Sequence, residues 1–452
     1  MLSIPQDVAL ILRLLRQAGH LAYVVGGCVR DALLGRTPKD WDICTSATPE
    51  EMQRIFSGYH VVETGLKHGT LTVVLHHVPY EVTTFRVEEG YADHRHPDQV
   101  RFVHDVREDL ARRDFTVNAM AWSPEEGLVD AFGGREDLRA GIIRCVGDPY
   151  TRFGEDALRI LRALRFASTY AFQIDGDTAA AIHALHPTLC HVAAERIRVE
   201  LGKLLCGQAA VEILRQYPDV LHTVLPETQA MFGFEQHSPY HRYDVWEHTL
   251  HALKAAEAEE TLRWAVLLHD TGKPEAFTLD DAGTGHAYGH AKISRDKAES
   301  AMARLKMDRA TWEDVTTLVE RHDIPLPPDR RTMKRRLRQL GERRLRLLIQ
   351  LQRADALGTG TRVPQEVEQM TQERTQTLKT LLAEDACVSL RQLQVNGRDL
   401  LAAGIPAGKI LGQTLERLLE EVMEETLPNQ REPLLHRAVE LVREGGTHGQ
   451  ME

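Results

Sequence analysis

The spacing of apolar positions along the chain changes near residue 140. The opening segment MLSIPQDVALILRLLRQAG reads as an amphipathic helix. Asp7 interrupts it, and no basic stretch precedes an unbroken apolar block, so a signal peptide is not indicated. AYVVGG, from Ala22 to Gly27, is a short β-rich run that ends in a glycine turn and leads into a helix-like VRDALLG. TLTVVLHHVPYEVTTF reads as two strands of alternating pattern around a His-His-Val-Pro turn. Beyond about residue 141 the strand signals fade. EDALRILRALRFAS, AERIRVELGKLL, EHTLHALKAAEAEETLRWAVLLHD and TLERLLEEVMEETL all space their apolar residues near the helical period. Breaks fall near Gly233–Pro239, Asp280–Gly285 and Pro325–Pro328. The expected fold class is α+β: an N-terminal α/β head followed by a long helical body.

Composition narrows the class. The chain has 452 residues, 42% apolar and 27% charged, which excludes a disordered or fibrous protein and leaves room for about three domains. No apolar run is long enough for a membrane-spanning helix, so no membrane partner is expected. Six cysteines are scattered with no CxxC pair, which fits a reducing, cytoplasmic compartment and argues against a disulfide framework. The net charge is −11, but it is uneven: residues 321–350 carry ten Lys/Arg against three carboxylates, and residues 411–452 carry nine carboxylates against four arginines. The basic stretch is either a solvated helix face or a docking surface for a polyanion.

Candidate chemistry begins at KDWDIC. On a strand, Asp40 and Asp42 would share one face while Trp41 points the other way into a core. Two adjacent carboxylates repel, and a divalent cation relieves the conflict. Mg²⁺ takes a few carboxylate oxygens together with phosphate and water, and it suits phosphoryl transfer. An acidic pair on a surface turn is the bland alternative. Ahead of it, Gly26 and Gly27 stand between a strand and a helix, where the backbone can approach an anion closely, and Arg30 supplies a charged donor. Glu81, on a later strand with Thr83 and Phe85 on its side, could complete the metal site or simply face solvent.

These residues carry a resemblance. Gly26-Gly27-Cys28-Val29-Arg30-Asp31 followed by Asp40-Trp41-Asp42 resembles the head of the tRNA nucleotidyltransferase/poly(A) polymerase family. Arg112-Arg113-Asp114-Phe115-Thr116-Val117-Asn118-Ala119 resembles the family's second motif, and Asp130 to Leu138 its hinge motif. Glu155-Asp156-Ala157-Leu158-Arg159-Ile160-Leu161-Arg162 resembles the nucleotide-reading motif, and Glu195 to Leu201 the next. Val395 to Leu411 is similar to the tail of bacterial CCA-adding members. The resemblance implies a polymerase-β-like head over 1–140, a helical nucleotide-reading neck over 141–232, an HD-type helical body over 233–360 and a tRNA-binding helical tail over 361–452. It also implies that Asp40 and Asp42 hold Mg²⁺, and that Gly27, Arg30, Arg113, Asp156, Arg159, Arg162 and Arg165 bind nucleotide.

The reading motif has its own physical logic. On one helix, Asp156 and Arg159 at i and i+3 would lie on a common face. Cytosine and adenine each present an amino donor beside an unprotonated ring nitrogen, whereas guanine and uracil present an N–H and a carbonyl. An Asp–Arg pair accepts the first two and leaves buried polar groups unpaired against the others. An i,i+3 surface salt bridge is the plain alternative. Arg162 and Arg165 drift around the helix, toward triphosphate, primer backbone or solvent. Arg86 to Asp98 resembles the mobile loop that family members need for the final adenosine; it departs from the family at Arg95-His96-Pro97, where Arg-Arg-Pro is expected.

A second cluster stands in the body. His248, His269-Asp270 and Asp355, with His290 and His322 nearby in sequence order, resemble the metal site of HD domains. The resemblance implies His248, His269, Asp270 and Asp355 as ligands of a transition metal, with His290 and His322 as second-metal or phosphate ligands. Imidazole and carboxylate donors suit Mn, Fe, Ni or Zn. Either the HD scaffold serves as a platform, or it hydrolyses a 2′,3′-cyclic phosphate or a phosphomonoester.

The function implied is Mg-dependent, template-independent addition of CCA to the 3′ end of tRNA from CTP and ATP with release of pyrophosphate. The tRNA would be gripped at acceptor stem and elbow by the helical body, including the basic 321–350 stretch. An A-adding enzyme or poly(A) polymerase with the same head, and an HD phosphohydrolase with a nucleotide-binding head, stay open as alternatives.

Overall fold

The structure is a computed structural model that describes residues 2–66, 69–90 and 99–448. It divides into two compact units: one runs to Gln229 and takes in Ala301–Met307, and the other comprises Ala230–Ser300 with the chain from Asp308 onward.

The first unit is built on a seven-stranded sheet of order β3-β4-β5-β2-β1-β8-β9. Its strands are β1 (Ala22–Val25), β2 (Ile43–Thr45), β3 (His60–Gly65), β4 (Thr70–Leu75), β5 (Val78–Thr84), β8 (Met120–Ser123) and β9 (Gly127–Asp130). The strands β6 (Arg86–Glu89) and β7 (Gln99–Phe102) pair separately as an antiparallel ribbon. Only β2 and β5 run parallel; the other neighbours in the large sheet are antiparallel. The two alternating strands expected over 70–85 are β4 and β5. Their turn is shorter than the pattern suggested: His76 and His77 alone make it, with φ of 48° and 67°, the positive values a two-residue hairpin turn demands. Val78 and Pro79 already belong to β5.

Helices α1 (Gln6–Gln17), α2 (Gly27–Leu33), α3 (Pro49–Ile55), α4 (Val106–Ala111) and α5 (Gly134–Ala140) accompany the sheet. The amphipathic reading of α1 holds: Val8, Ile11, Leu12 and Leu15 are its buried face. A core of Tyr23, Val25, Cys44, Phe85, Val106, Leu110, Ala119 and Ala121 joins β1, β2 and β8 to α4. Helices α6 (Pro149–Glu155), α7 (Leu158–Tyr170), α8 (Gly176–Leu185), α9 (Ala194–Leu205), α10 (Ala210–Gln216) and α11 (Pro218–Val224) complete the unit, with α7 packed on α9.

The second unit is largely helical: α12 (Val245–Ala255), α13 (Glu260–Leu268), α14 (Lys273–Ala276), α15 (His290–Arg304, its last turn in the first unit), α16 (Arg309–Arg321), α17 (Arg330–Gly358), α18 (Pro364–Ala383), α19 (Gly397–Ala402), α20 (Lys409–Met423) and α21 (Arg431–His448). Gly341, at φ 73° and ψ 169°, breaks the long α17.

The basic stretch over 321–350 is not a bare cationic face. Arg330 pairs with Glu384 and Glu425, Arg331 and Arg335 with Glu424, Lys334 with Glu425 and Arg338 with Glu416. Arg343 and Arg344 share Asp314. The acidic C-terminal stretch therefore compensates the basic one within a single unit. A sum over each segment could not reveal that, because the partners are about 80 to 95 residues apart in sequence.

Candidate active site in the head and a histidine–aspartate cluster in the body

The head site grows from the parallel β2–β5 pair. Ile43 stands opposite Val82, so the residues one step earlier, Asp42 just before β2 and Glu81 within β5, stand side by side on the face that carries Cys44 and Phe85. Both are solvent-accessible, while Ile43 and Val82 are buried. Asp40 and Asp42 are not themselves on a strand, as the spacing suggested. They lie in the extended segment just before β2, where the Asp42 carbonyl accepts from Val25 N–H at 3.0 Å, and Trp41 is only partly buried.

Asp42 and Glu81 open into a cleft of about 210 Å³ whose wall also holds Thr70, Thr83, Arg86, Asp109, Arg112 and Arg113. The protein packed around Asp42 strips water from one side of it, and together with the charge of Asp40 this pushes its carboxyl above the usual range against the pull of Arg113. Gly26 turns the chain from β1 into α2 at φ 78°; a Cβ there would stand 2.7 Å from the Arg113 guanidinium. Only glycine permits both the angle and the approach. Arg113 Nε is buried with no hydrogen-bond acceptor.

The remaining expected residues are placed differently from one another. Arg30 does not open into this cleft. It is buried, donates to Asn118 and pairs with Asp31, and its guanidinium lies 5.0 Å from the Phe166 ring and 4.8 Å from the Tyr170 ring. Asp156 and Arg159 do not share a helix face. Asp156 has extended angles (φ −143°, ψ 103°) and breaks α6 from α7; its carboxylate caps α7 at Leu158 N–H, 3.1 Å away, and accepts from Arg196 at 2.9 Å. Arg159 turns instead to Glu155 and donates to the backbone carbonyls of Arg152 (3.0 Å) and Arg112 (3.2 Å). Asp is a stronger helix cap than helix interior residue, so the break is local chemistry that helical periodicity could not show. Arg162 and Arg165 are held by carboxylates: Arg162, still about a third exposed, clamps Asp114 through two donors (2.8 and 2.6 Å), and Arg165 pairs with Glu200. Burial works against the Asp114 charge, yet Arg162 and the Asn118 amide hold its carboxyl well below the usual range. The expected loop contacts of Tyr91 to Asp98 lie outside the described residues.

Asp109 is the residue that the sequence reading passed over. The available signal was its position on the inner face of α4, in line with Val106 and Leu110, where an apolar side chain is the norm.

In the body, six side chains from five segments converge: His248, the neighbours His269 and Asp270, His290, His322 and Asp355. His248 Nε2 lies 3.0 Å from Asp355 Oδ1 and 3.3 Å from Asp270 Oδ2. His269 Nε2 lies 3.2 Å from Asp270 Oδ2 and 3.5 Å from Asp355 Oδ1. The other Asp270 oxygen faces His290 Nε2 at 3.3 Å and His322 Nε2 at 3.7 Å. His269, His290 and His322 each donate Nδ1–H to the carbonyl three residues earlier, at 2.7, 2.8 and 2.7 Å. A carbonyl only accepts, so this fixes the proton on Nδ1 and aims Nε2 inward. The Nε2 atoms of His248 and His269 stand 3.3 Å apart, and those of His290 and His322 3.1 Å apart. Burial opposes a charge on His269, but Asp270 and Asp355 push it up to about 10. Burial and the neighbouring His269 push His322 down to about 4. Lys273 Nζ lies 2.7 Å from Asp270, beside a cavity of about 460 Å³.

Comparison with known proteins gives a consistent picture. Residues 22–144 match the model of the poly A polymerase head domain, 171–232 that of the probable RNA and SrmB-binding site of polymerase A, and 288–438 that of the putative tRNA nucleotidyltransferase domain 2. A CCA-adding enzyme of Leuconostoc mesenteroides is 50% identical over 208 residues, 46% of this chain and 51% of that one, so the chain spans about half the length of that relative. A CCA-adding enzyme of Levilactobacillus brevis is 35% identical over 439 residues, covering 95% of this chain and 96% of its own. The crystal structure of the Bacillus stearothermophilus CCA-adding enzyme in complex with CTP superposes with a TM-score of 0.74 at 29% identity, over 98% of both chains. The chain belongs to the family of CCA-adding enzymes.

Proposed function

We propose that this chain adds C, C and A to the 3′ end of tRNA, using CTP and ATP and releasing pyrophosphate. The observation that carries the reading is the cleft in which Asp42, just before β2, and Glu81, on the adjoining strand β5, stand side by side with Arg113 beside the Gly26 turn. Asp42, partly desolvated and facing the charge of Asp40, is pushed toward its protonated form, which is the electrostatic condition a divalent cation relieves, and the carboxylate donors fit Mg²⁺. When bound there, Mg²⁺ would help ionise the attacking 3′-hydroxyl and neutralise the pyrophosphate. Glu81 extends the acidic edge of the cleft. Arg113, with an unused buried donor, offers N–H groups to the triphosphate. Asp156, held in place by Arg196, presents an acceptor to the Watson–Crick edge; Arg159 would join it as donor only by leaving Glu155 and the Arg152 and Arg112 carbonyls, while Arg162 and Arg165 brace α7 against Asp114 and Glu200. The division into head, neck, HD-type body and tail follows from this reading, with the tRNA acceptor stem and elbow as the ligand of the helical parts.

The experiment is extension of tRNA ending at its discriminator base with each nucleotide in turn. Incorporation of CMP from CTP alone, and of AMP only after two C residues, supports the reading. Incorporation of AMP alone points to an A-adding or poly(A)-polymerase relative.

A second reading concerns the body. His248, His269, Asp270 and Asp355 present one ligand atom each within 4.8 Å of one another, and so do Asp270, His290 and His322. Buried imidazole nitrogens that face each other fit a transition-metal ion. Such an ion would supply an activated water for phosphoester hydrolysis. Metal content after dialysis against Mn²⁺ or Ni²⁺, compared with His269→Ala, tests the site directly. Equal content in both proteins contradicts it.

A further inference from the structure

Asp109 is 1% exposed, yet it stands on the inner face of a helix anchored by Val106 and Leu110 in the head core. A buried charge persists only where it is paired and used. One of its oxygens, Oδ1, is fully engaged: it accepts from Arg112 Nε at 3.0 Å, from a second Arg112 nitrogen at 2.9 Å and from the backbone N–H of Arg86 at 3.3 Å. The other, Oδ2, is buried and accepts no hydrogen bond. Its near neighbour is a terminal nitrogen of Arg113, 3.6 Å away. Arg113 Nε is likewise buried and unpaired. The guanidinium is thus confined between Asp109 on one side and the Gly26 turn on the other, where no Cβ would fit.

We infer that Asp109 is a positioning residue that sets Arg113 toward the triphosphate of the incoming nucleotide. Arg113 and Arg112 are four and three residues beyond Asp109, so one carboxylate at the end of one helical turn reaches both. The Oδ1 bonds fix Asp109 itself; Oδ2 then supplies a directional charge to Arg113 while leaving its other donors to the ligand. Without that charge the guanidinium keeps its packing but loses its orientation, and loss of orientation appears as weaker nucleotide binding. The inference rests on the reading of this cleft as the nucleotidyl-transfer site.

The test compares wild type, Asp109→Asn, Arg113→Ala and the double variant in steady-state addition with CTP and with ATP, alongside thermal melting. Asp109→Asn keeps an acceptor for Arg112 and removes the charge. It is expected to raise KM for both nucleotides about ten-fold, with kcat affected much less. In the Arg113→Ala background the same substitution is expected to change KM by less than about two-fold, because the two act as one unit. An unchanged KM, or the full effect without Arg113, overturns the inference. Should Asp109→Asn fold poorly, Asp109→Glu retains the charge and displaces it by one methylene; a raised KM supports the inference and a wild-type KM overturns it. Asp42→Asn separates the two levels. If it leaves turnover intact, the reading of the cleft fails; if it abolishes turnover while the Asp109 variants bind nucleotide normally, only the positioning role fails.

Discussion

Arg196 on α9 closes on the Asp156 carboxylate at 2.9 Å, while Arg159, three residues past that aspartate, turns away to Glu155. The acceptor proposed to read a base is therefore held from a second helix and not by its sequence neighbour. Removing that brace with Arg196→Ala should leave Asp156 free to rotate. Discrimination of CTP over UTP, measured as a ratio of kcat/KM values, is expected to fall about ten-fold or more. An unchanged ratio would show that Arg196 does not orient the reading residue.

Gly26 offers a backbone test. Alanine there must adopt φ near 78° and bring its methyl to 2.7 Å from Arg113. The conformational cost alone is about 1 kcal/mol. Gly26→Ala should lower the melting temperature by a few degrees, and it should also raise KM for CTP and ATP because Arg113 is displaced. A variant with the lower melting temperature but a wild-type KM would separate the turn from nucleotide binding.

Asp114 makes stability depend on pH. It is 8% exposed, accepts from Arg162, Asn118 and its neighbour's N–H, and its carboxyl is held below the ordinary value. A folded value below the unfolded one contributes stability that is present above about pH 4, the unfolded value, and is lost as pH falls further. Asp114→Asn should therefore cost about 3 kcal/mol at neutral pH, as expected for a broken buried pair. The gap between variant and wild type should narrow steadily below about pH 4. Denaturant melts across that range check it; a constant gap contradicts the assignment.

How much of this was legible in the sequence depends on the range of the interaction. The amphipathic α1, with Val8, Ile11, Leu12 and Leu15 inward, and the β4–β5 hairpin are local patterns, and the sequence shows both. The acidic pair stood out because Asp40 and Asp42 lie close together in sequence, but their place just before β2 did not, since pairing with β5 decides where a strand begins. The helix break at Asp156 was missed because capping competes with helical spacing at a single residue. Asp109 drew no notice: its importance comes from burial beside Arg112 and Arg113, which appears only once α4 is packed. The basic stretch of α17 looked open because its carboxylate partners are far along the chain.

Those carboxylates lead to a further expectation. Glu416, Glu424 and Glu425 together occupy Arg330, Arg331, Lys334, Arg335 and Arg338. Exposed pairs of this kind contribute little, so replacing all three by glutamine should lower stability only modestly. It frees cations for phosphate, so affinity for tRNA should rise at low salt and its dependence on salt should steepen. Filter binding at several salt concentrations measures the slope, and an unchanged slope would show that this face does not meet RNA.

The most direct test of the central claim is single-turnover extension of tRNA ending at its discriminator base, with CTP and Mg²⁺, by wild type and by Asp42→Asn. Loss of the acidic edge shared with Glu81 should slow the first CMP addition about a thousand-fold, equivalent to about 4 kcal/mol, while the variant stays folded. Extension by Asp42→Asn at the wild-type rate would contradict the account.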